Sequence, residues 1–292
     1  MFRGTFTAVV TPFRNGDVDF AAFDKLAEAQ IAAGITGFIA VGTTGESPTL
    51  THDEKHEVIE RAIKIANGRC KVIAGAGTNS TRDSIEATKF AEKAGADGAL
   101  LVAPYYNKPS QEGLFRHFKA IAGATSLPVM LYNIPGRCAV DIAADTVVRL
   151  AETCRNIVSI KEASGSVERV AELRRRLPQE FTILSGDDSL TLPFMAVGAV
   201  GVVSVASNLF PAELCALVRA CDSGDYKSAE SLHRKLFPLF KDLFIEPNPV
   251  PAKTALAWRG AMSAEVRLPL CEMSDANQTR LRKTVEEFEK AK

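Results

Sequence analysis

Asn156-Ile157-Val158-Ser159-Ile160-Lys161-Glu162-Ala163-Ser164-Gly165 is the stretch from which the rest of the chain is read. Residues 157–160 are dominated by β-branched aliphatics and read as a strand buried on both faces, the kind found in parallel sheets. Lys161 arrives where that strand runs out, ahead of a Ser-Gly turn and a helix-like stretch. In a β/α architecture the C-terminal ends of the strands face the active site. A lysine placed there among apolar residues is partly desolvated, which disfavours the ammonium. A free amine on a rigid strand is the nucleophile for Schiff-base chemistry with a carbonyl substrate. The alternative is a lysine ion-paired to a neighbour such as Glu162, since structural pairs also perturb lysines.

Outward from this strand, similar runs recur at residues 5–10, 37–41, 71–75, 98–102, 128–132, 181–184 and 201–205, which makes eight in all. Helical periodicity fills the gaps. Phe20, Phe23, Ala27 and Ile31 share one face behind Asp19 as N-cap, with Gly34 as the stop. Thr51-His52-Asp53-Glu54 opens the second helix as a capping box, and Ser80-Thr81-Arg82-Asp83 opens the third in the same way. Strict alternation of strand and helix implies a parallel sheet. Eight units suit a closed (β/α)8 TIM barrel, whereas a doubly wound sheet usually needs fewer strands. After an eighth helix near residues 211–221, helices are expected over 225–244, 250–259 and 275–290 with no strand between them. The expected division is a catalytic barrel over 1–222 and a helical C-terminal extension over 223–292, packed on the barrel or on a partner.

Composition narrows the function classes. Among 292 residues, 35 basic side chains balance 35 acidic ones, so no net charge draws the chain to nucleic acid or an anionic membrane. No apolar run approaches the roughly 20 residues that span a bilayer. Met1-Phe2-Arg3-Gly4-Thr5 leads straight into a strand, so no targeting peptide is expected. Cys70, Cys138, Cys154, Cys215, Cys221 and Cys271 are scattered without CxxC or His-partnered spacing and read as reduced thiols of a cytoplasmic protein.

The loops after the strands should carry the function. Gly42-Thr43-Thr44-Gly45-Glu46-Ser47-Pro48 offers two hydroxyls and free amides that could hold a carboxylate, or it is an ordinary βα turn; it is no nucleotide motif. Ala103-Pro104-Tyr105-Tyr106-Asn107-Lys108-Pro109 sets two tyrosines side by side, either functional or packed at an interface. Tyr132, at another strand's end, could relay protons through a hydroxyl network. Arg137, in the next loop, could clamp a carboxylate in bidentate fashion or make a surface ion pair. Asp187-Asp188 could suggest a metal, yet no third ligand accompanies them, and either aspartate could cap a helix. His52, His56, His117 and His233 fall on helical segments, which disfavours a histidine triad or zinc centre. A strand-end lysine, a strand-end tyrosine, a hydroxyl-rich loop and an arginine point to class I aldol chemistry on a small keto acid.

Residues 42–47 and 102–109, Tyr132-Asn133-Ile134-Pro135-Gly136-Arg137, Ile160-Lys161-Glu162-Ala163, Ser185-Gly186-Asp187-Asp188 and Glu246-Pro247-Asn248-Pro249 resemble the dihydrodipicolinate synthase (4-hydroxy-tetrahydrodipicolinate synthase) family of pyruvate-dependent lyases, which includes N-acetylneuraminate lyase. The matching segments run in family order over essentially the whole length. The resemblance implies that Lys161 forms a Schiff base with pyruvate and that L-aspartate 4-semialdehyde is the second substrate, in the committed step of diaminopimelate and lysine biosynthesis. It implies a proton relay of Tyr132, Thr43 and Tyr106, with Tyr106 reaching a neighbouring subunit's site in a homotetramer built as a dimer of dimers. Thr44 would hold the pyruvate carboxylate and Arg137 that of the semialdehyde, with backbone contacts near Gly186 and Val203. No metal or nucleotide cofactor is implied. A feedback site for L-lysine would comprise Ser47, Pro48, His52, Lys55, Asn79, Asp83 and Tyr105. Three departures bear on it: Pro48 stiffens the loop, Lys55 stands where histidine is common, and Asp83 is a methylene shorter than the usual glutamate. The alternatives are a sialic acid or keto-deoxy-sugar acid aldolase on the same scaffold, or a non-catalytic metabolite sensor.

Overall fold

The computed structural model describes residues 2–290, and in it eight parallel strands close into a barrel. In chain order these are β1 (Gly4–Ala8), β2 (Gly37–Ala40), β3 (Lys71–Gly75), β4 (Gly98–Val102), β5 (Val129–Asn133), β6 (Ile157–Glu162), β7 (Thr182–Ser185) and β8 (Gly201–Ser204). Each pairs with its sequence neighbour, and β1 closes the ring against β8. Eight helices follow them: α1 (Phe20–Ala32), α2 (His52–Ala66), α3 (Thr81–Ala94), α4 (Gln111–Ala122), α5 (Ala144–Thr153), α6 (Val167–Arg176), α7 (Thr191–Ala196) and α8 (Pro211–Asp222).

Alternation along each strand splits the core into two layers. Phe6, Ala8, Ile39, Ile73, Leu100, Met130, Tyr132, Leu184 and Val203 fill the barrel interior. Phe38, Ala40, Leu101, Leu131, Ile160, Ile183 and Val202 face the helices instead. Both faces are therefore apolar, which is why the strands read as near-continuous hydrophobic runs. Besides a four-residue helix at Pro135–Cys138 that carries Arg137, three further helices follow the barrel: α9 (Tyr226–Asp242), α10 (Val250–Trp258) and α11 (Asp275–Lys290). Their Leu236, Leu239, Phe240, Leu256, Leu281 and Val285 are buried in the same outer core as the barrel helices. Each such aliphatic contributes about 1.5–3 kcal/mol by leaving water.

Three local features differ from the sequence reading. Lys161 and Glu162 lie within β6, because the ladder runs on through Tyr132↔Lys161 and Asn133↔Glu162. A short hairpin, Phe13–Arg14 against Asp17–Val18, follows β1. Its signal was Asn15-Gly16, both with positive φ, the pair that favours a two-residue hairpin turn. The capping box of α2 forms in full, but in α3 only the Ser80 hydroxyl accepts from the Asp83 N–H; the shorter carboxylate instead lies 3.5 Å from Arg82.

Candidate active site

Lys161 is 6% exposed, and its Nζ sits 4.1 Å from the centre of the Tyr132 ring. Their closeness follows from register, since the two residues are partners across β5 and β6 and both point into the barrel. The next pair along, Asn133 and Glu162, faces outward. Glu162 accepts from Asn133 Nδ2 (3.0 Å), the Ser164 amide (2.8 Å) and Arg169 Nε (2.9 Å), which leaves it no part in neutralising Lys161. Strand alternation thus decides between the two sequence readings of the lysine: it is not the partner of Glu162. A side chain at Gly186 would meet Lys161 Cε and Cγ at 3.0 Å, so glycine there makes the room through which the lysine passes. The Gly186 N–H is itself committed to the Glu162 carbonyl, 2.8 Å away.

Burial brings the Lys161 pKa down to about 7, against the pull of the Asp188 carboxylate and with a push from the Arg137 cation. Tyr132 is also buried, which holds its phenol well above the ordinary value, and its hydroxyl bonds to Thr43. Asp188 accepts from the Ser204 hydroxyl and from the amides of Val205 (2.9 Å) and Ala206 (3.0 Å). Burial raises it to about 6 despite these donors. Asp187 caps the following turn through the Ser189 amide. Neither aspartate joins a metal-binding cluster, and no such group of His, Cys, Asp and Glu occurs among the described residues.

Thr43, Tyr132 and Arg137 line a cleft of about 220 Å³ together with Cys138, Ser47, Pro48, Lys55 and Tyr105. Arg137 donates a long bond, 3.5 Å, to the Asn248 carbonyl, and no carboxylate among the described residues pairs with it. Thr44 is buried and accepts from Asn248 Nδ2 at 3.0 Å. Val203 lies on β8, in the same interior cluster as Tyr132. Tyr106 stands apart: it is 88% exposed, with φ 72°, and does not line the cleft of its own chain.

Of the residues grouped for lysine, all but Asn79 line two adjoining clefts. Ser47, Pro48, Lys55 and Tyr105 belong to the first, while His52, Lys55 and Asp83 line a second of about 240 Å³ with His56 and Phe90. The Tyr105 hydroxyl accepts from the Asn79 N–H, and the Asn79 carbonyl accepts from Asn107 Nδ2 at 2.9 Å. Burial lowers the Lys55 pKa, and Asp83 pulls it back. Sequence reasoning overlooked Asn248 beyond its motif, and it overlooked a buried ion pair between Glu46 and Lys253 (2.6 Å) altogether.

A family model described as the dihydrodipicolinate synthetase family matches residues 1–288. The chain belongs to that family. A 4-hydroxy-tetrahydrodipicolinate synthase of Aquifex aeolicus is 49% identical over 288 residues, spanning 99% of this chain and 98% of the relative. The solved 4-hydroxy-tetrahydrodipicolinate synthase of Methylacidiphilum fumariolicum SolV superposes with a TM-score of 0.98 at 56% identity, covering 99% and 97% of the two chains. Two other solved dihydrodipicolinate synthases each have a TM-score of 0.96. That of Cyanidioschyzon merolae, with lysine bound, is 44% identical and covers 98% of both chains. That of Acinetobacter baumannii, chloride-inhibited and complexed with pyruvate, is 43% identical and covers 99% of both. Membership extends over barrel and C-terminal helices alike, since the matched residues run through most of α11.

Proposed function

We infer that this chain is a lyase condensing pyruvate with L-aspartate 4-semialdehyde to 4-hydroxy-tetrahydrodipicolinate, the committed step towards diaminopimelate and lysine. The observation that carries the chemistry is a buried Lys161, without a carboxylate partner in hydrogen-bond range among the described residues, brought to a pKa of about 7 beside Tyr132. An amine of that pKa is about half deprotonated at neutral pH and can attack a ketone. The Lys161 amine adds to the pyruvate ketone, and loss of water gives an iminium. That cation draws electrons from the methyl carbon, which loses a proton to form an enamine. The enamine attacks the aldehyde of the second substrate, whose own amine then displaces Lys161 and closes the ring.

Tyr132 serves these proton transfers through its bond to Thr43. With its phenol held neutral, it first donates, to the departing hydroxyl, and then takes the methyl proton as the resulting phenolate. Thr44 suits the pyruvate carboxylate, and Arg137, free of any carboxylate partner among the described residues, suits that of the semialdehyde. A sugar acid would present hydroxyls where Arg137 offers a cation, which favours the semialdehyde. The outward Tyr106 supports a relay completed between copies in a dimer, two of which would form the tetramer. The pyruvate and lysine complexes among the similar structures support pyruvate as substrate and L-lysine as inhibitor. The residues proposed for the inhibitor are Ser47, Pro48, His52, Lys55, Asn79, Asp83 and Tyr105. Neither metal nor nucleotide enters the chemistry. The barrel over 1–222 carries the reaction, while the region from 223 on covers it. Six free thiols accord with a cytoplasmic location. A coupled assay comparing aspartate semialdehyde with sugar acids tests the reading: turnover restricted to the semialdehyde supports it, and preference for a sugar acid overturns the substrate assignment.

A further inference from the structure

The loop after β2 carries both Thr43 and Thr44, yet its own backbone bonds are few. Gly45 and Ser47 donate to the Gly42 carbonyl, and Glu46 donates to that of Thr43. Glu46 then adopts a left-handed conformation, φ 54°, and buries its carboxylate completely. Each oxygen finds one donor, and both lie in the C-terminal region: Lys253 Nζ at 2.6 Å and the Arg267 amide at 3.1 Å. Lys253, on α10, is fully buried too. Its ammonium also donates to the Thr11 carbonyl at 2.9 Å and lies 4.1 Å over the Phe13 ring. Five residues before it, Asn248 donates to Thr44 through Nδ2 and accepts the long bond from Arg137 through its carbonyl.

A buried ion pair is a poor source of net stability, because desolvation offsets the attraction and apolar side chains of similar volume do as well. What it adds is direction. Here one end is anchored two residues from Thr44, and the other sits on a helix that contributes no strand to the barrel. We propose that Glu46 and Lys253 are positioning residues, acting with Asn248 to hold the Thr43 and Thr44 hydroxyls where they meet the pyruvate carboxylate and Tyr132. This rests on the Schiff-base reading above. It gives the C-terminal region a part in substrate binding without placing any of these three side chains on the reacting atoms.

The test uses the full chain and three variants: Glu46→Gln, Lys253→Met and the two combined. The readouts are the pyruvate concentration that half-saturates borohydride-trapped adduct, kcat, and the melting temperature. Each single variant leaves one buried charge unpaired and should melt earlier. The double variant removes both charges and should recover melting temperature, yet still need about tenfold more pyruvate and turn over more slowly, because the loop is no longer held. Arg61→Met, which breaks the α2–α1 ion pair with Asp24, is the control for a purely structural loss, with half-saturation unchanged. A folded double variant whose half-saturation and kcat stay within about twofold of the unaltered chain overturns the proposal. Should no variant of the pair fold, Asn248→Ala decides: a comparable rise in pyruvate requirement supports it, and an unchanged one overturns it. No adduct on the unaltered chain would instead overturn the Schiff-base reading on which the proposal stands.

Discussion

At the residue scale, one side chain ties the chemistry to pH. Lys161 has a pKa near 7 in the fold against an ordinary 10.5, so the folded chain releases a proton that the unfolded chain keeps. Two consequences follow, and both favour higher pH. Imine formation with pyruvate should accelerate as pH rises through about 7 and level off above it, as rapid-mixing measurements can follow. Stability likewise carries a cost from Lys161 that is absent above pH 10.5, grows as pH falls towards 7, and is fully present below that. Lys161→Met should therefore raise the neutral-pH melting temperature while abolishing turnover; a lower melting temperature would contradict the desolvation account. Arg137 makes a second prediction. Arg137→Ala should weaken transition-state binding of the semialdehyde by about 1.5–3 kcal/mol, the worth of a charge-assisted contact, raising its KM more than that of pyruvate. Equal effects on both substrates would make Arg137 structural. Lys161, Tyr132 and Arg137 were legible in the sequence because each is a polar side chain at or just past the end of an apolar run. Glu46 and Lys253 were not, being 207 residues apart with no local pattern to join them. Nor was the outward role of Glu162, which only strand register reveals.

At the scale of single elements, caps and buried imidazoles make measurable differences. Thr51 caps α2 reciprocally with Glu54, whose carboxylate also pairs with Arg267. Thr51→Ala should cost about 1 kcal/mol in chemical denaturation, and a negligible change would mean that Arg267 alone holds this helix start. His117, on α4, bonds Thr81 through Nδ1 at 2.9 Å, while its Nε2 is buried without a partner. Burial lowers its pKa from 6.5 to about 4. Burying the neutral ring costs nothing in protonation above pH 6.5, and stability declines as pH falls from there towards 4, where the unfolded chain gains the proton first. His117→Phe should flatten that decline. Strand placement was legible because both barrel faces are apolar. The hairpin after β1 escaped notice because its two-residue strands are too short for periodicity, leaving only Asn15-Gly16 as a signal.

At the scale of the whole molecule, the outward Tyr106 predicts a shared site. Tyr106→Phe should depress turnover while pyruvate still forms its adduct on Lys161. Mixed dimers of Tyr106→Phe with Lys161→Ala subunits should regain activity, and their failure to do so would place the relay within one chain. The two adjoining clefts that meet at Lys55 predict inhibition by lysine, weakened by Asp83→Ala. Inhibition untouched by that substitution would locate the effector elsewhere. The barrel and its helical cover were readable as a pattern of runs; how the cover grips the active-site loop was not, because that contact is made by side chains remote in sequence.

The central claim is that this fold exists to present one buried amine to a keto acid. Borohydride reduction in the presence of pyruvate, followed by peptide mass mapping, tests it most directly. The expected result is a single reduced pyruvate adduct on Lys161, absent in Lys161→Arg. An adduct on a different lysine, or none on the unaltered chain, would contradict it.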